Sequence, residues 1–382
     1  MKRRAGIALL AAAAIAAAAA AVALAAPPKR PPLTVGAYYY TWYGPDGTHW
    51  DKGYARGRLE APQRPALGAY DSRDPAVIAA HYRWAQRYGV DLFIASWWGP
   101  GGWDDVTLRD HVLPSPARGR TRVALLYEST LRLGLTDNRV LLDEAARERL
   151  LADFDYLATT YLRHPAYYRV AGRPVVFLYV SRIYRGDVAG TIRALRAHVR
   201  ARHGLELYLV GDEADWDLGP ARSRIRLYDA ITGYTLYSPT QPSGWPSTTG
   251  YLGAVESRLR AFRRAAGAER VAFVPNVQPA FNDRGVRPEK GHWVLPHEVG
   301  PAARDFSLFR RALALAGRYV DPRLNLLTVT SWNEWHEDTQ IEPTAPAAPA
   351  TGPAEVTDGY VYRSYGHRLL ELLAEFRRSF RG

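Results

Sequence analysis

The chain predicts an α/β fold, a single-domain (β/α)8 TIM barrel. Eight apolar or aromatic runs of strand length recur along its 382 residues, most of them separated by stretches with helical periodicity. No shift in composition divides these runs into two groups, and polar and aromatic residues gather after several of them rather than after one. A barrel collects its active site from the C-terminal ends of many strands. An open doubly wound sheet uses one switch point, often with a Gly-x-Gly-x-x-Gly turn after the first strand, and no such turn follows the first run here.

The first strand is 35–40, V-G-A-Y-Y-Y, running into a loop with Trp42, Tyr43, His49 and Trp50. A helix follows with clear ends: Asp74 suits the N-cap, Pro75 the first helical position and Gly89 the position past the end. Its period buries Val77, Ile78, Tyr82 and Ala85. The second strand, 90–96, is of the kind covered on both faces, and it ends in Trp97, Trp98 and a glycine-rich turn with Trp103, Asp104 and Asp105. The third, 122–128, ends on Glu128. A long amphipathic helix is expected over 140–162, with Leu141, Leu142, Leu150, Leu151 and Leu157. Arg173 and Pro174 open the fourth strand, 175–180, and a helix over 188–202 is closed by Gly204. The fifth strand, 206–210, delivers Asp212 and Glu213, and the sixth, 230–234, ends on Tyr234. A helix over 252–266 precedes the seventh strand, 271–275, whose loop holds Asn276, Gln278, Asn282, Asp283 and Trp293. A helix over 305–319 leads to the eighth strand, 325–330, and a last helix is expected over 362–380.

The N-terminal segment reads as a secretory signal peptide, residues 1–26. Lys2, Arg3 and Arg4 precede an alanine-rich apolar stretch, and Ala23-Leu24-Ala25 fits a cleavage site. An uncleaved membrane anchor is the alternative, made weak by the alanine content. Residues 27–34 form a proline-rich linker, leaving 35–382 as the barrel domain. The chain has no cysteine, which excludes disulfides, thiolate metal sites and a lipid-modified N-terminal cysteine. Of the net charge of +12, Lys2, Arg3, Arg4, Lys29 and Arg30 lie in leader and linker. No basic block is long enough for a nucleic-acid groove. The 11 Trp and 24 Tyr point instead to a surface lined with rings.

Residues 330–342, T-S-W-N-E-W-H-E-D-T-Q-I-E, carry the chemistry. Glu334 and Glu337 stand three apart where a buried strand gives way to loop, among Trp332, Asn333, Trp335 and His336. Cleaving a glycosidic bond needs one carboxyl group to protonate the leaving oxygen and another to act on the opposite side of the anomeric carbon. Aromatic faces suit the C–H groups of a sugar. For one carboxyl to stay protonated, its partner's charge and partial burial must raise its pKa, and Asp338 would add to that push if it pointed inward. Spacing alone leaves retention or inversion open.

Other chemistries lack their motifs. No His-x-x-x-His occurs among His49, His81, His164, His292 and His336, and the Glu289–His292 pair lies in a loop broken by Gly291. His81, in a helix, reads as packed or solvated. There is no Gly-x-Ser-x-Gly elbow, and the run from Gly99 to Gly102 lacks a P-loop ending. Neither metal nor cofactor is expected.

The 330–342 motif is similar to the S-F-N-E-W-H-E-G-T-Q-I-E signature of glycoside hydrolase family 99, the endo-α-mannosidases and endo-α-1,2-mannanases. Further segments resemble that family in the same order: Y-Y-Y-T-W-Y-G with H-W behind it, L-G-A-Y-D-S-R-D-P, S-W-W-G-P with its D-D, and F-V-P-N-V-Q-P-A-F-N-D-R-G-V-R-P. The resemblance spans most of 35–343 and is weaker over 131–225. Asp338 stands where the family commonly has glycine, and Trp332 where it has phenylalanine, which bears on the tuning of Glu337 and on the pocket floor.

The resemblance implies a barrel that cleaves α-mannosidic bonds internally, with retention through a 1,2-anhydro sugar. By motif position, Glu334 would be the base that draws the proton from the substrate 2-hydroxyl. Glu337 would be the acid for the departing oxygen and then the base for water. The candidate substrate contacts are Tyr40, Trp42, Tyr43, His49, Trp50, Trp97, Trp98, Glu128, Tyr234, Asn333, Trp335 and His336, with Trp42, Trp98 and Trp335 expected to ring the pocket. The partner is a polysaccharide or glycan, acted on by a secreted or periplasmic monomer. The alternatives are a hydrolase of another α-linked polysaccharide and a carbohydrate-binding barrel without catalysis.

Overall fold

The computed structural model describes residues 32–45, 49–50, 63–216, 218–235, 247–287, 291–298 and 305–380. The leader, most of the linker and Glu289 lie outside the described residues. Parallel strands alternate with helices from the first described element. They are β1 (Thr34–Tyr39), α1 (Pro75–Tyr88), β2 (Leu92–Trp97), α2 (Trp103–Thr107), β3 (Arg122–Tyr127), α3 (Glu144–Thr160), β4 (Arg173–Leu178), α4 (Val188–His203), β5 (Tyr208–Asp212) and β6 (Ala230–Thr232). There follow α5 (Thr248–Ala268), a β7 in two pieces (Ala272–Phe273 and Asn276–Val277), α6 (Ser307–Gly317), β8 (Leu326–Val329) and α7 (Arg368–Ser379).

Sheet order runs from the first piece of β7 through β6, β5, β4, β3, β2, β1 and β8 to the second piece of β7. Only Val274 and Pro275 separate those two ends, so the curled sheet meets itself there. Val274 N–H donates to the Ile231 carbonyl on one side, and the Pro275 carbonyl accepts from Thr328 N–H on the other. The expected continuous seventh strand is therefore corrected. Pro275 has no N–H to offer a ladder, and the chain changes partner at that point.

Two apolar layers follow from the two-residue period of the strands. Tyr38, Leu92, Ile94, Ala124, Leu126, Val175, Phe177 and Leu326 fill the barrel interior. Their neighbours Ala37, Tyr39, Phe93, Ala95, Val123, Leu125 and Val176 pack outward against the helices. In α1, Asp74 accepts from Ala76 N–H at 2.7 Å and Gly89 takes φ 85° at the C-terminal end. That helix buries Val77, Ile78, Tyr82 and Ala85 as its sequence requires.

Three further expectations shift. Residues 140–142 form a short strand beside Tyr184–Gly186, and α3 starts only after Asp143, whose carboxylate accepts from Ala146 N–H. The last helix begins at Arg368, because Tyr362 pairs with Ala350 and Gly366 turns the chain at φ 53°. The helix expected over 305–319 is trimmed to α6, with Asp305 and Phe306 both at positive φ before it. Among the described residues, no helix is long and apolar enough to cross a membrane.

Removing the α1 cap by Asp74→Ala should cost about 0.5–2 kcal/mol, since it strands first-turn N–H groups. Urea unfolding of the two proteins reads the difference.

Candidate active site

The 330–342 segment leaves β8 as a loop pinned at its neck. Ser331 N–H donates to the Thr339 carbonyl at 2.7 Å, and Glu342 N–H to the Trp332 carbonyl at 2.8 Å. Trp332 N–H extends the pairing with β1 by bonding the Tyr38 carbonyl at 2.7 Å. Asn333 then behaves as a splice. Its Oδ1 accepts from Tyr40 N–H and its Nδ2 donates to the Tyr40 carbonyl, both at 2.8 Å, with a further bond to the Tyr70 hydroxyl. The Tyr43 hydroxyl donates to the Asn333 carbonyl at 2.7 Å and accepts from Trp335 N–H.

That frame presents two carboxyl groups in different surroundings. Glu334 is 3% exposed, its N–H is capped by Ser331 Oγ at 2.7 Å, and its Oε1 accepts from His336 N–H at 2.9 Å. Burial pushes its pKa well above the ordinary carboxyl range, and the negative charge of Glu337 pushes it further. Glu337 lies nearer solvent, its side chain 19% exposed, with Arg287 Nη1 2.8 Å from its Oε1. Burial raises this group too, while the guanidinium draws it down.

Glu128, just past β3, is a third buried acid. It accepts from Ser96 Oγ at 2.6 Å, and burial pushes its pKa up to about 8 despite that bond, with the charges of Asp104, Glu337 and Asp212 adding to the rise. The hydroxyls of Tyr40 and Tyr234 share a short hydrogen bond, and both rings lie in the field of Glu334. Trp42 forms an aromatic wall, stacked on His49 with centroids at 5.0 Å and on His336 at 5.5 Å, and 5.8 Å from Trp98. His336 Nε2 donates to the His49 carbonyl, which leaves Nδ1 3.4 Å from Glu334.

The structure thus brings together Tyr40, Trp42, His49, Trp98, Glu128, Tyr234 and His336 with the two glutamates. Tyr43, Trp50 and Asn333 stand behind them as supports. Trp50 stacks on Tyr43 at 4.0 Å and bonds the Tyr70 carbonyl, and the Asn333 amide is already bonded on both of its atoms.

Two expected contacts are corrected. Trp97 is wholly buried in the outer layer, where it bonds Asp105 at 2.8 Å and stacks near Tyr127. The strand period decides this, since Ser96 shares the inward face with Ile94 and Trp97 takes the opposite one. Trp335 is likewise wholly buried, its indole N–H held by Glu342 at 2.8 Å, so it does not ring the pocket with Trp42 and Trp98. Glu342 also accepts from the Tyr70 hydroxyl and faces His81 Nε2 at 3.0 Å, which makes His81 a packed core histidine.

The two departures from the family signature are local. Trp332 sits in the core against Phe93 at 5.0 Å and away from any pocket floor. Asp338 occupies φ 57°, in the left-handed region that glycine enters freely and aspartate tolerates better than most residues. The charges bearing most on Glu337 are Arg287, Asp283 and His292; Asp338 is not among them.

Arg287 escaped sequence reasoning as a site residue. The signal was its place in N-D-R-G-V-R-P together with the need of clustered carboxylates for a cation. Asp283, 2% exposed, holds it at 3.0 Å and faces His292 Nδ1 at 2.8 Å.

Comparison with known proteins relates the chain to other glycoside hydrolases. The family described as Glycosyl hydrolase family 99 matches residues 58–192. Glycoprotein endo-alpha-1,2-mannosidase of Mus musculus is 26% identical over 345 residues, covering 81% of this chain and 68% of the relative. A glycoprotein endo-alpha-1,2-mannosidase-like protein of Homo sapiens is 24% identical, with coverage of 81% and 68%. The solved family 99 endo-alpha-mannosidase from Bacteroides thetaiotaomicron superposes with TM-score 0.62 at 22% identity, over 91% of this chain and 97% of that one. A solved glycoside hydrolase-like protein gives TM-score 0.70 at 20% identity, over 94% and 98%. At these identities the superpositions speak for the barrel. Barrel, acids and relatives together define a glycoside hydrolase. The family model over residues 58–192 and the relatives' sequences liken the chain to glycoside hydrolase family 99.

If Trp332 is core, Trp332→Phe should lower stability by about 1–3 kcal/mol while kcat/KM stays within about twofold, read by urea unfolding and initial rates. At position 338, Asp338→Gly should leave stability within about 1 kcal/mol, whereas Asp338→Ala should lose about 1–2 kcal/mol to the left-handed backbone.

Proposed function

We propose that this enzyme is a secreted, endo-acting α-mannoside hydrolase that retains configuration through a 1,2-anhydro sugar. The observation that carries the reading is the pair after β8, with Glu334 sealed beside His336 and Glu337 at the rim beside Arg287. The names of the relatives support α-mannosides, in mannan or high-mannose glycans, as the substrate class. The leader at 1–26 supports export, and 35–382 is the catalytic domain of a monomer.

In the first half-reaction Glu334 takes the proton of the substrate 2-hydroxyl, whose oxygen closes on C1. The bond from C1 to the leaving oxygen breaks, and Glu337 supplies that oxygen with its proton. In the second half-reaction Glu337 takes a proton from water, the water oxygen attacks C1 as the C1–O2 bond of the anhydro ring breaks, and Glu334 returns its proton to the freed 2-oxygen. The residues of this chain bind and orient the sugar around those transfers: Trp42 and Trp98 offer ring faces, and Glu128, Tyr40 and Tyr234 meet hydroxyl groups.

Glu334→Gln and Glu337→Gln should each lower kcat on α-mannan or glucosylated high-mannose glycan by about 10²–10⁴-fold while calorimetry still detects ligand binding. Turnover retained by both variants would overturn the catalytic pair. Release of oligosaccharide only from a different α-linked polysaccharide would overturn the mannoside, and binding without hydrolysis of any glycan would leave a sugar-binding barrel.

A further inference from the structure

The proposed roles require Glu334 ionised and Glu337 protonated at the start of the reaction. The arrangement of the site favours the opposite. Glu337 Oε1 has the Arg287 guanidinium at 2.8 Å, whereas Glu334 is almost sealed from water, with the His336 backbone N–H donating to it and the His336 ring Nδ1 3.4 Å away. A carboxylate is favoured where a full cation faces it, and a neutral acid where water is excluded and a second carboxylate is near. The other charged or titratable groups near Glu337 do not reverse this. From the β7 loop come Asp283 and His292, from β3 Glu128, and from the β4 and β6 ends Tyr179 and Tyr234. Burial raises both phenols far above neutrality.

We infer that Arg287 is a positioning residue for the acid–base pair: in the unliganded site it keeps Glu337 ionised and the pair's single proton on Glu334, and the leaving-group side of the substrate must displace it before Glu337 can donate. This rests on the proposed roles of the two glutamates. Displacement moves one proton from Glu334 to Glu337, with no net gain or loss. After the first half-reaction the proton is back on Glu334 and Glu337 is ionised, which is the distribution Arg287 favours. As the leaving sugar departs, Arg287 returns to Glu337 and holds it as the base that water needs. Its side chain is 45% exposed, so it has room to swing, while Asp283, 3.0 Å away, gives it a second anchor. The Glu337 carbonyl accepts from Asn282 N–H at 2.8 Å, so cation and acid ride on one connected piece of backbone.

The test is carbon-13 NMR titration of the full chain with carboxyl-labelled glutamate, the two signals assigned by their loss in Glu334→Gln and Glu337→Gln. In the unliganded protein Glu334 should titrate at higher pH than Glu337. Arg287→Met should move the Glu337 midpoint up by about one to three pH units, and Arg287→Lys, which keeps the charge, should restore most of it. The alkaline limb of the kcat/KM profile should rise with the same substitution, because loss of a cation lets the shared proton persist to higher pH. Glu337 titrating above Glu334 in the natural protein, or Arg287→Met lowering kcat/KM equally at all pH with both midpoints fixed, would overturn the inference. Because the titration needs no turnover, absence of mannoside hydrolysis would sink the proposed function without deciding the proton's place.

Discussion

Asn333 joins the two strands that open and complete the barrel. It bonds both the N–H and the carbonyl of Tyr40, so the residue after β1 and the loop after β8 become one hydrogen-bonded piece. Strand pairing alone would bring β1 and β8 side by side and leave the loop beyond them free to turn either way. A buried amide with both ends bonded removes that freedom, since any other orientation would leave polar atoms unsatisfied away from water. Glu334 follows one residue later and inherits its direction from this joint.

The same loop holds three glutamates that share a side chain and differ in everything around it. Glu342 faces two aromatic donors and an imidazole, and its business is internal. Glu334 has burial without a strong cation, and Glu337 has a cation at the cost of exposure. Environment, rather than residue type, separates the scaffold glutamate from the two at the site.

Much of this was legible in the sequence. The caps of α1 and α4 are written in Asp74, Pro75, Gly89 and Gly204, and the structure uses them in those places. The glutamate pair announced itself by its aromatic company. What failed was the reading of that company: counting rings near the acids swept in Trp97 and Trp335, although the alternation of β2 already assigned Trp97 to the helix side. Trp335 follows no period, and only the tertiary placement of Glu342 turned it inward. The break in β7 is marked by Pro275 in the sequence, but the change of partner on either side of it is a property of the closed ring. Arg287 lies fifty positions before its partner, beyond the range of local pattern.

The broken seventh strand gives the ring an uneven stiffness. β2 and β3 are registered over six residue pairs, whereas β7 shares two with β6 and two with β8. The wall bearing Tyr40, Ser96 and Glu128 is therefore the rigid side of the mouth, and the wall leading to Arg287 is the compliant one, held by the fewest ladder bonds. A polymer lying across such an opening meets a fixed jaw and a yielding jaw, and the charge that must step aside is mounted on the one that yields.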